Sequence, residues 1–153
     1  MAPARREELR IAGLHEPISH YTDAVRFGDL LFVSGVAPLD ERLQLVGGGD
    51  PAEQTRQIFR NLGAILRAAG ATPADVLKVT VYLTHVDDRT RINPVRQEFF
   101  GKARPASTLV EVSRLAIPGM RVEIDAVVGL PPKKRPPKPR KRCPPLPTGE
   151  RVG

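Results

Sequence analysis

At 153 residues and 41% hydrophobic content, the chain has the size of one domain and enough apolar side chains to bury a core. Its net charge of +7 would suggest a nucleic-acid-binding surface if it were spread over the fold, but residues 131–153 carry eight basic residues against a single acid, Glu150. Residues 1–130 are therefore neutral, which excludes a basic folded body.

The opening stretch, MAPARREELR, lacks the apolar centre of a secretory signal, so a cytoplasmic location is expected. An additional strand is expected near Leu9–Leu14. Ala24–Phe27 and Leu30–Ser34 flank Gly28-Asp29, a two-residue link that favours a tight hairpin. The apolar run LLFV in its second strand is far too short to cross a bilayer, and no membrane partner is expected. Gly35 is read as the end of that strand, with a polar, glycine-rich loop running on to Gly49.

Asp50-Pro51 and Glu53 form a helix-start pattern, with a capping carboxylate, proline at the first position and glutamate three residues past the cap. Thr55, Ile58, Phe59, Leu62, Ile65, Leu66 and Ala69 recur at helical spacing, and Gly70 suits the left-handed stop. The spacing predicts a helix over 51–69. Val76–Thr84 alternates as a strand, with Leu77, Val79, Val81 and Leu83 on one side. Asp87–Phe100 is helical in pattern, and Pro94 places the start of its regular part there, with Asn93 as its cap. Ser107–Ser113 and Arg121–Val128 read as strands, the latter with Val122, Ile124 and Ala126 opposite Arg121, Glu123 and Asp125.

Beyond Leu130, eight of 23 residues are proline and eight are basic. Such a segment buries too little to offset its ordering entropy, so 1–130 is read as the domain and 131–153 as a disordered tail. The only cysteine, Cys143, falls in this tail, which rules out an intrachain disulfide. The tail's charge suits weak, salt-sensitive binding to a polyanion, although it has no aromatic residues for base stacking. The ordinary explanation, a solvated extension, is the favoured one.

The order β-β-α-β-α-β-β gives an α+β domain whose two helices cover one sheet face. The other face must meet solvent or another subunit. The three histidines, His15, His20 and His85, show no spacing that pairs them as metal ligands.

Taken in order, HYTDAVRFGDLLFVSG, QTRQIFRNLGAIL, VTVYLTHVDD, INPVRQEFFG and RPASTLVEV…VEIDAVV resemble the Rid family (RidA/YjgF-like proteins) over most of residues 17–129. The resemblance implies a chorismate-mutase-like fold and a homotrimer with small-molecule clefts between subunits. It also implies hydrolysis of reactive imines or enamines to keto acids and ammonia, without metal or organic cofactor. Matched residue by residue, the substrate-binding positions are Tyr21, Ser34, Gly35 and Asn93. Glu123 falls where an acid positions or activates the attacking water. His20 is the histidine that the match puts near the cleft.

The pattern departs at one position. Where the family reads Pro-Ala-Arg-Ser, this chain reads Pro105-Ala106-Ser107-Thr108, so serine stands in place of the arginine that grips the substrate carboxylate. A guanidinium offers two parallel charge-assisted hydrogen bonds, whereas a serine offers one neutral bond. Weak or absent activity on 2-imino acids follows, unless Arg96, Arg104 or Arg121 supplies the missing cation. Ser107 itself lacks the oriented base that a nucleophile needs. Each site residue also has an ordinary structural explanation: a packed aromatic for Tyr21, a strand end for Ser34-Gly35, a helix cap for Asn93 and a solvated strand face for Glu123. The competing functional reading is a non-catalytic trimeric protein that binds a metabolite in its clefts and a polyanion through its tails.

Overall fold

A computed structural model describes residues 2–132. The expected tail, with Cys143, lies outside the described residues except for Pro131 and Pro132. The chain runs β1 (Arg6–Leu9), β2 (Ala24–Phe27), β3 (Leu30–Val36), α1 (Pro51–Ala69), β4 (Val76–Leu83), α2 (Arg89–Phe100), β5 (Ala106–Glu111) and β6 (Val122–Gly129). The strands form one sheet in the order β1-β2-β3-β6-β4-β5. Only β4 and β5 pair in parallel, and α2 supplies the crossover that a parallel pair requires.

α1 begins and ends as its sequence predicts. The Asp50 carboxylate accepts from the Ala52 N–H at 2.9 Å, and Gly70 closes the helix at φ 75°. Glu53 does not complete a capping box. The Asp50 N–H is already bonded to the Gly47 carbonyl at 2.9 Å, and Glu53 pairs with Arg56 instead. Ile58, Leu62 and Leu66 of α1 pack over Val33, Val79, Val81, Ile124 and Ala126 to form the core. Each large aliphatic side chain buried there contributes about 1.5–3 kcal/mol.

Four local expectations change. The N-terminal strand ends at Leu9, because Gly13 turns the chain at φ 87° and the Ile11 N–H goes to the Asp23 carboxylate at 2.7 Å. β3 continues past Gly35 to Val36. Between Val33 and Val36 its register with β6 slips, so Ser34 and Gly35 together oppose a single β6 residue in a bulge. A second irregularity between Val76 and Lys78 puts Val76 in the core and leaves Leu77 51% exposed, lying against Gly129. Finally, α2 starts at Arg89, directly after a 3-10 turn at Val86–Asp88, and Pro94 lies inside it. Asn93 is thus a mid-helix residue and not a cap. The amide that Pro94 lacks would have bonded the Thr90 carbonyl on an exposed flank, where water can serve that carbonyl instead.

Both helices lie on the same sheet face. The other face carries Phe32 (46% exposed), Leu30, Val110, Tyr82 and Val127, with Glu123 and Asp125 among them. Among the described residues, no helix is long and apolar enough to cross a membrane.

Candidate functional site

The β3 bulge builds the site. Across it stands β6, whose alternation sends Val122, Ile124 and Ala126 into the core and Glu123 and Asp125 to the open face. The Glu123 carboxylate rests directly on Gly35. A Cβ added at Gly35 would lie 2.0 Å from Glu123 Oε1 and 3.0 Å from its Cδ. Glycine is needed here for close approach, not for an unusual backbone angle.

Around this contact lies a cleft of about 360 Å³, lined by Tyr21, Ser34, Gly35 and Glu123 together with His15, Ile18, Leu39, Ile117 and Met120. That volume falls within the range of small-molecule sites. Burial holds the Glu123 carboxyl above the ordinary glutamate range, and the nearby charge of Asp125 adds to the effect. Asp125 also accepts a hydrogen bond of 2.9 Å from the Tyr82 hydroxyl. That bond, more than burial, raises the Tyr82 pKa.

The walls of the cleft are held by polar anchors. Ser34 Oγ donates to the Thr22 carbonyl at 2.6 Å, and the Ser34 N–H donates to the Asp23 carbonyl at 3.0 Å, tying the bulge to the segment that carries Tyr21. Tyr21 Oη in turn accepts from the Ile18 N–H at 3.3 Å. Gln54, fully buried on α1, donates to the carbonyls of Gly48 (2.6 Å) and Gly119 (2.9 Å) and accepts from the Arg121 N–H (2.7 Å). It fastens the loop bearing Ile117 and Met120 to the helix. Buried Asn61 does the same for Ala37 and Leu39, donating to their carbonyls at 3.1 and 2.9 Å.

Four of the six predicted site residues, Tyr21, Ser34, Gly35 and Glu123, therefore meet in one cleft. Asn93 and Ser107 do not join them within a single chain. Asn93 is exposed on α2. Ser107 pairs with Val79, a core residue, and so faces the helix side of the sheet, opposite to Glu123. There its Oγ accepts a hydrogen bond of 2.9 Å from Arg96 Nη2. Of the other two candidate cations, Arg121 is committed to buried Asp88, with Nε 3.0 Å and Nη2 2.8 Å from its Oδ2. Arg104 stands exposed in the turn before β5. Among the histidines it is His15, not His20, that lines the cleft.

Comparison with known proteins places this arrangement. A sequence model of the endoribonuclease L-PSP family matches residues 13–129. The chain is a member of the Rid (YjgF/L-PSP) family. It is 43% identical over 112 residues to a RutC family protein of Pyrococcus horikoshii, covering 73% of this chain and 88% of that one. A 2-iminobutanoate/2-iminopropanoate deaminase of Dermatophagoides farinae is 34% identical over 113 residues, covering 74% and 88%. A crystal structure of a Rid family protein from Yersinia pestis superposes with a TM-score of 0.77 at 30% identity, covering 82% of this chain and all of that one. The Rid fold thus accounts for the two helices on one side of a mixed six-stranded sheet.

Sequence reasoning missed the wall residues His15, Ile18, Leu39, Ile117 and Met120 of this Rid-family cleft and its anchor Gln54. The five wall residues sit in loops, where no periodicity marks them. Gln54 carried a readable signal. It lies four residues before Ile58, a polar side chain on the helix face that enters the core.

Proposed function

We propose that the protein is a cytoplasmic, cofactor-free hydrolase that converts an imine, an enamine or a related metabolite to a carbonyl compound and ammonia. The observation that carries this reading is the Glu123 carboxyl, desolvated and seated on the Gly35 bulge inside the cleft. A carboxyl whose pKa burial raises is a stronger base toward water than an ordinary glutamate. Glu123 takes a proton from water as the water oxygen bonds to the imine carbon and the C=N pair moves to nitrogen. It returns that proton to nitrogen to give the carbinolamine, then takes the hydroxyl proton and passes it to nitrogen as the C–N bond breaks, so that the carbonyl forms and ammonia leaves. Tyr21, Ser34 and the backbone of the bulge orient the ligand.

Ser107 and Asn93 join the site across a subunit boundary, in a homotrimer that covers the apolar open face of the sheet. This reading accounts for Ser107 and Glu123 pointing to opposite sides of one chain, since one copy's β5 edge then completes the cleft of its neighbour. β5 itself offers no cation. A substrate whose carboxylate depends on that strand alone turns over slowly. The tail at 131–153 adds weak, sequence-indifferent attraction to polyanions, which truncation after Leu130 removes.

The test is to generate a panel of imines in situ, with 2-iminopropanoate and uncharged alkyl imines among them, and to follow ammonia release. Acceleration of at least one imine supports the reading. Binding of the products without acceleration of any imine would contradict it, leaving a metabolite-binding protein.

A further inference from the structure

His15 shares the cleft with Glu123, yet hydrolysis by Glu123 alone gives it no task. It is half-buried in the loop between β1 and β2, and one side of its ring is already committed. Nδ1 lies 2.9 Å from the Glu16 carbonyl oxygen. A carbonyl can only accept, so Nδ1 carries the proton of the neutral ring and the lone pair is left on Nε2. The segment itself is pinned. Arg10 is ion-paired with buried Asp23 and reaches on to the Glu16 carboxylate at 3.2 Å, holding the residue whose carbonyl fixes the tautomer. This is the arrangement of a histidine that gives and takes its proton at one nitrogen only. The neighbouring hydroxyls are less suited to such work. Ser34 Oγ spends its proton on the Thr22 carbonyl. Tyr21 Oη accepts from the Ile18 N–H and keeps its own proton, but a phenol parts with it far less readily than an imidazolium.

We propose that His15 is a second catalytic residue of this cleft, an acid–base group paired with Glu123 that protonates the imine nitrogen as water adds. This rests on the hydrolase reading and divides its proton transfers between two side chains. In a volume of about 360 Å³, a small ligand seated at Glu123 is within reach of His15 as well. The cycle starts from the Glu123 carboxylate and the His15 imidazolium. As the water oxygen bonds to the imine carbon, Glu123 takes a proton from the water. The C=N pair moves to nitrogen, and Nε2 gives its proton there. The carbinolamine then faces a protonated carboxyl and a neutral imidazole. As it collapses, Glu123 gives its proton to nitrogen and Nε2 takes the hydroxyl proton. The C–N bond breaks, the carbonyl forms, and ammonia leaves with both side chains back in their starting forms. Nδ1 keeps its proton on the Glu16 carbonyl throughout. Nitrogen thus receives a proton as charge develops on it, without waiting for Glu123 to carry one across.

The test compares the parent protein, His15→Ala and His15→Gln on the imine of the panel that the parent hydrolyses fastest, with thermal unfolding to confirm that each variant is folded. His15→Ala should lower kcat about 100-fold or more, the worth of a positioned acid–base group, with KM little changed. His15→Gln, polar but unable to exchange a proton, should be equally slow. Imidazole added to His15→Ala should restore turnover above the rate that imidazole gives without protein. Pyrazole, a ring of the same size and much weaker basicity, should not. A purely structural role for His15 would make no distinction between the two rings. Parental kcat in either folded variant, or a slowed His15→Ala protein that imidazole restores no better than pyrazole, would overturn the assignment. The two readings fail separately. Turnover that depends on Glu123 but not on His15 removes this proposal and keeps the hydrolase, while a parent protein that accelerates no imine removes both.

Discussion

Gly35→Ala is the sharpest probe of the site, because the structure says what one methyl group would meet. The added Cβ would lie 2.0 Å from Glu123 Oε1, so the carboxylate must retreat by about 1.4 Å to restore an ordinary 3.4 Å contact. The obstructing atom is the far end of a flexible side chain, and Gly35 is not among the glycines with positive φ. The backbone therefore accepts alanine, and the unfolded chain loses freedom worth about 0.4–1 kcal/mol in favour of folding. Thermal stability should stay close to that of the parent. Catalysis should not, since misplacing a reacting group by about 1 Å can cost about 100-fold in rate. The assay is kcat/KM for imine decay beside a thermal unfolding curve, with Glu123→Gln and the double variant completing a cycle. Once Glu123 is replaced, adding Gly35→Ala should cost little more. A folded Gly35→Ala protein with parental kcat/KM would refute the claim that the bulge exists to seat this carboxylate.

Glu123→Gln should also be more stable than the parent at neutral pH. A folded-state pKa raised by burial means that the fold favours the protonated form, so the parent loses stability as pH rises through that value. The advantage of glutamine should shrink to nothing below the ordinary glutamate pKa of about 4.3, as read from unfolding curves over a pH series. Gln54→Leu removes three part-buried hydrogen bonds, to the Gly48 and Gly119 carbonyls and from the Arg121 N–H, and should cost about 2–4 kcal/mol in denaturant unfolding, with faster hydrogen exchange at the Arg121 amide. If the proposed homotrimer buries the open face, Phe32→Arg places a charge in that contact and should give a monomer in sedimentation velocity where the parent sediments as a trimer, with loss of imine turnover.

The fold was legible wherever a period ran long enough to be read. α1 shows this best, with its cap, stripe and glycine stop all local and mutually consistent. β6 was equally clear, since its core and outward residues alternate without interruption. The errors fall where tertiary pairing overrides local pattern. Leu77 fits the alternation of its strand, but the slip beside Val76 turns it outward. Pro94 reads as a helix start, yet the turn at Val86–Asp88 launches α2 before proline is reached. The cleft was half legible for a related reason. Tyr21, Ser34, Gly35 and Glu123 lie in or beside strands whose pairing brings them together, whereas His15 and Met120 arrive on loops. The Arg96–Ser107 contact joins a helix to a strand eleven residues later. No spacing rule aims a long side chain across that crossover.

The central claim, that Glu123 in this cleft hydrolyses an imine, is tested most directly by one comparison. The imine of the panel that the parent accelerates most is generated in situ, and its conversion to the carbonyl compound and ammonia is followed with the parent protein and with Glu123→Gln. The account predicts clear acceleration by the parent and a loss of about 100-fold or more in the variant, the scale of a positioned acid–base group. Equal acceleration by the two proteins would contradict it.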